Sequence, residues 1–315
     1  MSEFSLINRY FKSLTAKSTL TTVGIGDDCA VSCIPPDCQL VSCVDTLVMG
    51  RHFPDATSAH AIAYKSVAVN LSDVASMGAT PYALLLGLSL PVELANDAWL
   101  GEFVQGLKDI CTTYNVELIG GDTTRSSVLT ISITALGFVP TGQAIRRSGA
   151  KVGDVICVSG EIGSASYALS QILQSQPTAL PPTLQSALDY PTPQVTLGQG
   201  LLGVATAMID ISDGLGQDLG HILTASGVGA VLQLDKIPCA DILNTLPTHE
   251  KYQHILNGGD DYQLCFTLKK DEFERFHADN PNRIYAIGEI VGGRDLQLLD
   301  KGEVVEFGVQ GWEHF

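Results

Sequence analysis

Carboxylates recur along this chain in short segments flanked by glycine and serine: GIGDD at 24–28, VDT at 44–46, NLSD at 70–73, GGDTT at 120–124, DISDG at 210–214 and GGDD at 258–261. Lysine is nearly absent beside them, so surface salt bridges do not account for the pattern. Carboxylates brought together by a fold repel one another unless cations lie between them. Hard oxygen donors of this kind suit Mg²⁺, which binds through a few carboxylates together with substrate phosphates. The spacing therefore points to an enzyme that handles phosphate groups with several magnesium ions.

Each cluster has its own logic. Asp73 lies inside a stretch, 61–75, that reads as a helix apolar on most faces, where an ionised carboxylate is costly unless it is paired or bound to metal. In GGDTT, two glycines allow close backbone approach to a phosphate, and Asp122 and the hydroxyls supply oxygens. In DISDG, Ser212 and Asp213 stand where a helix begins, so helix capping and metal ligation are equally good readings. GIGDDC at 24–29 has a cysteine where a dinucleotide-binding fingerprint needs its third glycine, and reads instead as a flexible acidic loop. Among other phosphate and hydrolase signatures, the chain has no GxxxxGK[ST] loop, kinase HRD or DFG set, GxSxG elbow or HExxH helix.

Composition narrows the partners. With 34 acidic residues against 18 Lys and Arg, the formal charge is −16, which argues against nucleic acid and anionic membrane surfaces. Phosphates remain accessible to an acidic protein when divalent cations neutralise the site. No apolar run is long enough to span a bilayer, and the first residues lack a leader pattern. The eight cysteines show no CxxC pair and read as reduced thiols. The expectation is a cytoplasmic protein.

The elements that must position these residues alternate. An amphipathic stretch covers 4–14, strand-like runs lie at 39–48, 81–90 and 127–139, and helices at 58–77 and 96–114. Turn chemistry at 140–143 leads into Arg146-Arg147 and marks a boundary. A second series follows, with a strand at 154–159 and helices at 164–173 and 215–225. Two α/β (α+β) domains, 1–142 and 143–315, each carry part of the acidic set.

These motifs in this order resemble the thiamine-monophosphate kinases, within the superfamily of aminoimidazole ribonucleotide synthetase and selenophosphate synthetase. The resemblance rests on GIGDDCA at 24–30, DTLVMGRHF at 45–53, AVNLSDVASMGA at 68–79, IGGDTTR at 119–125, RRSGAKVGD at 146–154, IDISDGL at 209–215, DLGHI at 218–222, GGDDYQLCFT at 258–267 and GWEHF at 311–315. It covers essentially the whole chain. A selenophosphate synthetase would carry a reactive cysteine near its start, and residues 1–23 contain none.

The resemblance implies ATP-dependent phosphorylation of thiamine monophosphate to thiamine diphosphate, by direct in-line transfer between several Mg²⁺ ions. It also implies a homodimer formed through the N-terminal domains. Transferred position by position, Asp28, Asp45, Asp73, Asp122, Asp210 and Asp213 become metal ligands. Gly121, Asp122, Arg147 and Ser212 contact ATP, and His52, Asp260 and Trp312 line the thiamine phosphate site. Asp28, Asp45, Asp73, Asp122, Asp210 and Arg147 together carry the catalysis. Two departures stand out: Cys43-Val44 replaces a hydroxyl pair common in the family, and Asp260 replaces a frequent glutamate.

Overall fold

The computed structural model describes residues 6–14, 19–174, 180–279 and 283–311. The chain divides into two compact units, one formed by Met1–Val74 with Ala79–Gly142 and the other by Ala75–Gly78 with Gln143–Phe315.

The first unit begins with π- and 3₁₀-helical turns, Ile7–Phe11 and Lys12–Leu14, where the sequence suggested an ordinary amphipathic helix. A small antiparallel pair follows, β1 (Thr21–Val23) with β2 (Val31–Ser32). The main sheet holds β3 (Cys38–Val48), β4 (Thr80–Leu90), β5 (Glu117–Arg125) and β6 (Thr130–Pro140), in the order β3-β6-β4-β5. Helix α1 (Ala59–Ser76) joins β3 to β4, and α2 (Asp97–Tyr114) joins β4 to β5.

These residues form these elements for local reasons. On α2, Leu100, Phe103, Leu107 and Ile110 recur at three- and four-residue intervals and are buried, giving one apolar stripe. Asn96 caps its start by accepting from the backbone N–H groups of Ala98 and Trp99, and Asn115 closes it in a left-handed conformation. Gly106 lets α2 approach α1: a Cβ there would lie 2.3 Å from the His60 carbonyl oxygen. Ala63, Val67, Ala68, Leu71 and Val74 on α1 are completely inaccessible, as its all-round apolar sequence demands.

Strand alternation gives the sheet two unequal faces. On β6, Ile131, Ile133 and Ala135 are fully buried, while the alternate Ser132, Thr134 and Leu136 are half-buried. On β3, Leu40 and Val44 are 48% and 61% exposed. Asp45 and Cys43 occupy the opposite pleat of that strand.

The second unit is built on a seven-stranded sheet: β7 (Val155–Val158), β8 (Ala207–Asp210), β9 (Gly229–Gln233), β10 (Leu264–Leu268), β11 (Tyr285–Val291), β12 (Leu296–Asp300) and β13 (Glu303–Val304). Their order is β13-β12-β9-β11-β7-β10-β8, antiparallel except between β12 and β9. Its helices are α3 (Ser164–Ile172), α4 (Pro182–Asp189), α5 (Val195–Gly200), α6 (Leu215–Ser226), α7 (Thr248–Asn257) and α8 (Lys270–Asp279). One core unites Ile156, Val158, Ile209, Leu219, Ile222, Ile255 and Ile287. Among the described residues, no helix is long and apolar enough to cross a membrane.

Candidate active site

In the first unit, the carboxylates of β3 and α1 meet at one thiol. Cys43 on β3 is held well above its usual pKa, first by burial and then by the charges of Asp73 and Asp45. It therefore stays a protonated thiol, donating to the Asn70 carbonyl oxygen at 3.4 Å and hydrogen-bonded to Asp73. Asn70 completes the join: its Oδ1 accepts the backbone N–H of Asp45 at 3.0 Å, and its Nδ2 donates to the Ser66 carbonyl oxygen at 3.0 Å. Asp73 itself is half-buried, while its neighbours Leu71, Ser72, Val74 and Ala75 on α1 are enclosed.

His52 lies in the turn after β3, half-buried. Its Nδ1 accepts the backbone N–H of Val48 at 2.9 Å, so the neutral ring carries its proton at Nε2. The buried Lys65 donates to the His52 carbonyl oxygen at 3.5 Å, tying the turn to α1. Asp28 is exposed on the loop between β1 and β2, and Asp122 is exposed in the outer half of β5. Next to it, Gly121 has φ +152, and a Cβ would sit 2.1 Å from the Leu86 carbonyl oxygen. No side chain fits there, because β5 runs directly against the Leu86 backbone of β4 at this point.

In the second unit the DISDG and GGDD clusters come together. Asp210 ends β8 and pairs with Leu264 of β10. The backbone N–H of Asp260 donates to the Ser212 carbonyl oxygen at 2.9 Å, and that of Tyr262 to the Ile211 carbonyl oxygen at 2.8 Å. Asp260 holds φ +69 and its carboxylate accepts from the Tyr262 hydroxyl at 2.9 Å.

The capping alternative for DISDG is resolved in an unexpected way. The start of α6 is closed by Asp218, whose Oδ2 accepts the backbone N–H groups of Ser212, Asp213 and Gly214 at 3.0, 3.1 and 3.2 Å. Ser212 and Asp213 are thus the capped residues and not the cap. Burial, Asp210 and Asp213 push the Asp218 carboxyl up to about 7, against the lowering effect of those N–H donors. Asp261 behaves similarly. Its buried carboxylate takes the Gly163 N–H with both oxygens, at 2.9 and 3.0 Å, and burial holds its pKa well above the usual range.

Arg147 is exposed on the segment leading into the second unit's first strand. Trp312 lies outside the described residues. Residues that sequence reasoning passed over are Asn70, Asp218 and Asp261. All three stand inside the acidic or family motifs, but nothing in the sequence marks the structural part each one plays.

The crowding suits a hard divalent cation. Asp45 and Asp73 both act on Cys43, and Asp210 and Asp213 both act on Asp218, so carboxylates are crowded in each unit. Among the described residues, no three His, Cys, Asp or Glu side chains form a ready-made metal cage. Mg²⁺ needs only a few carboxylates, since it completes its shell with water and phosphate oxygens.

The chain matches the AIR synthase related protein N-terminal domain over residues 26–139 and the corresponding C-terminal domain over 151–301. It is 41% identical to the thiamine-monophosphate kinase of Escherichia coli (strain K12), across 99% of this chain and 98% of that one. This chain belongs to the thiamine-monophosphate kinase family. The Haemophilus influenzae member is 43% identical over 87% of this chain and 84% of its own length. The crystal structure of thiamine-monophosphate kinase from Stenotrophomonas maltophilia K279a superposes with a TM-score of 0.86 at 40% identity, covering 97% of this chain and 98% of that one. A family structure described as AaThiL complexed with AMPPCP and TMP gives 0.78 at 30% identity, covering 90% and 89%. The two-domain architecture expected from the motifs is that of this family.

Proposed function

We propose that this chain transfers the γ-phosphoryl group of ATP to thiamine monophosphate, forming thiamine diphosphate. The observation that carries the substrate assignment is the kinship with thiamine-monophosphate kinases over 99% of the chain. The AMPPCP and TMP of the AaThiL complex support the same pair of substrates.

Asp28, Asp45, Asp73 and Asp122 of the first unit and Asp210 and Asp213 of the second are the residues that would hold Mg²⁺. Bound there, the metal supplies charge neutralisation and alignment for in-line transfer. The chain's own groups do the rest. A phosphate acceptor is already ionised at neutral pH, so no strong general base is required. His52, with its proton at Nε2, donates to the substrate phosphate. Asp260, short of the common glutamate by one methylene, reaches the substrate directly or through water. Gly121 and Ser212 are each assigned to ATP, and Arg147 forks onto phosphate oxygens. Trp312 is assigned to the thiamine ring, which suits an aromatic face.

The half-exposed face of the first unit's sheet supports a homodimer. Leu40 and Val44 lie on it beside Ser132, Thr134 and Leu136, an apolar and hydroxyl surface suited to a second copy of the same sheet. The activity is assigned to the cytoplasm, where the exposed Cys29 and Cys33 stay reduced.

The deciding assay supplies ATP, thiamine monophosphate and Mg²⁺ and follows thiamine diphosphate. Asp73→Asn, which removes charge without changing volume, is expected to cut turnover by orders of magnitude with the fold intact. ATP consumption without thiamine diphosphate would refute the substrate assignment.

A further inference from the structure

Ser226 is the last residue of α6, a half-buried position beside the helix-ending Gly227, which adopts the left-handed conformation. Serine at a helix end commonly bonds back to its own helix. Here the hydroxyl turns elsewhere. Its oxygen accepts the backbone N–H of Gly149 at 3.1 Å and of Ala150 at 3.2 Å, and it donates to the Arg147 carbonyl oxygen at 3.3 Å. One donor and two acceptor lone pairs are all a hydroxyl has, and all three are spent on the segment that carries Arg147.

That segment has few other ties. The Met208 N–H donates to the Arg146 carbonyl oxygen at 3.0 Å, which pins the residue before Arg147 to the start of β8. Gly149, at φ +133, passes so close to Thr206 that a Cβ would lie 2.3 Å from its carbonyl oxygen. Between those two points, Ser226 is the side chain that fixes the peptide of Arg147 itself. The opposite end of the same helix grips the Ser212–Gly214 loop through Asp218. The eight residues from Asp218 to Ser226 rise by about 12 Å. A single rigid helix thus holds both of the second unit's segments assigned to ATP.

We propose that Ser226 is a positioning residue for Arg147, setting where the guanidinium meets the ATP phosphates. The inference rests on the assignment of Arg147 to ATP. It adds a residue that touches no substrate and that stands in none of the motifs carrying the family resemblance.

The test measures KM for ATP, KM for thiamine monophosphate, kcat and thermal midpoint on Ser226→Ala, Ser226→Thr, Arg147→Ala and their Ser226→Ala/Arg147→Ala combination, with Arg146→Ala as the surface control. Ser226→Ala is expected to raise KM for ATP about three- to tenfold, through the loss of three hydrogen bonds to the segment that carries Arg147. KM for thiamine monophosphate should stay at the parent value. Ser226→Thr keeps the hydroxyl and should restore ATP affinity. In the combined variant the two losses should be less than additive. A Ser226→Ala protein that melts earlier but keeps the parent KM for ATP, while Arg147→Ala raises it, overturns the positioning role and leaves the Arg147 assignment standing. An unchanged KM for ATP in Arg147→Ala overturns both. Should Ser226→Ala not fold, a Ser226→Cys protein with parent KM for ATP overturns the proposal, and one with a raised KM supports it.

Discussion

Asn70 Oδ1 accepts the backbone N–H of Asp45 at 3.0 Å, a contact that locks strand β3 to helix α1 one turn before Asp73. The amide cannot be turned over, because its Nδ2 is committed to the Ser66 carbonyl oxygen. The side chain is completely buried, so both bonds form in a low-dielectric interior. The separation of Asp45 and Asp73 is therefore set by a neutral residue between them.

Asn70→Ala should lose about 1–3 kcal/mol of stability, the cost of leaving buried polar groups unpaired. If the Asn70 bridge also sets the ligand geometry, the Mg²⁺ concentration for half-maximal activity should rise as well. Urea unfolding and a Mg²⁺ titration on the same protein check both. A stability loss with an unchanged Mg²⁺ requirement would confine Asn70 to packing.

Gly121→Ala should be disproportionately harmful for an exposed position. Its φ of +152 and the 2.1 Å approach to the Leu86 carbonyl oxygen leave no room for a methyl group. Backbone displacement of this kind costs on the order of 1–3 kcal/mol. The variant should show a lower thermal midpoint and a raised KM for ATP, whereas Gly142→Ala, whose Cβ meets nothing within 4 Å, should leave KM unchanged.

Asp218 makes stability depend on pH in a definite direction. Its carboxyl is pushed up to about 7 in the folded protein, from an ordinary value of 3.8. A raised folded pKa contributes stability that is fully present below the unfolded value and is lost as pH rises through the folded one. Asp218→Asn stays neutral and its Oδ1 can still accept the three N–H groups. Measured without divalent ions, its stability relative to the parent should climb between about pH 4 and pH 7 and then level off. A difference that stays flat over that window would refute the shift.

The open sheet face should govern assembly. Val44→Lys places a charge at a site 61% exposed, where a monomer tolerates it and a buried sheet-to-sheet contact does not. Light scattering should report a dimer for the parent and a monomer for Val44→Lys, with little change in far-UV circular dichroism. A parent that runs as a monomer would remove the dimer assignment.

Much of this protein was determined by local sequence. The apolar continuity of residues 61–75 makes α1 a buried helix, the three- and four-residue stripe makes α2 amphipathic, and the order of the acidic motifs carries the family. These signals are legible because they depend on neighbours within a few positions. The structure alone decided how the carboxylates divide their work. Asp218 binds the backbone of the loop whose Ser212 and Asp213 were candidates to cap the helix. Asp261 turns inward to the Gly163 N–H while Asp260 meets the Tyr262 hydroxyl. Adjacent aspartates look alike in a sequence, but burial and backbone donors from distant segments separate them, holding Asp261 as an enclosed structural carboxyl and leaving Asp260 half-buried on the loop. Asn70 and Ser226 were illegible for the same reason. Their partners, Asp45 and the Arg147 segment, lie far away along the chain, and a polar side chain has no visible purpose until folding brings its hydrogen-bonding partner within about 3 Å.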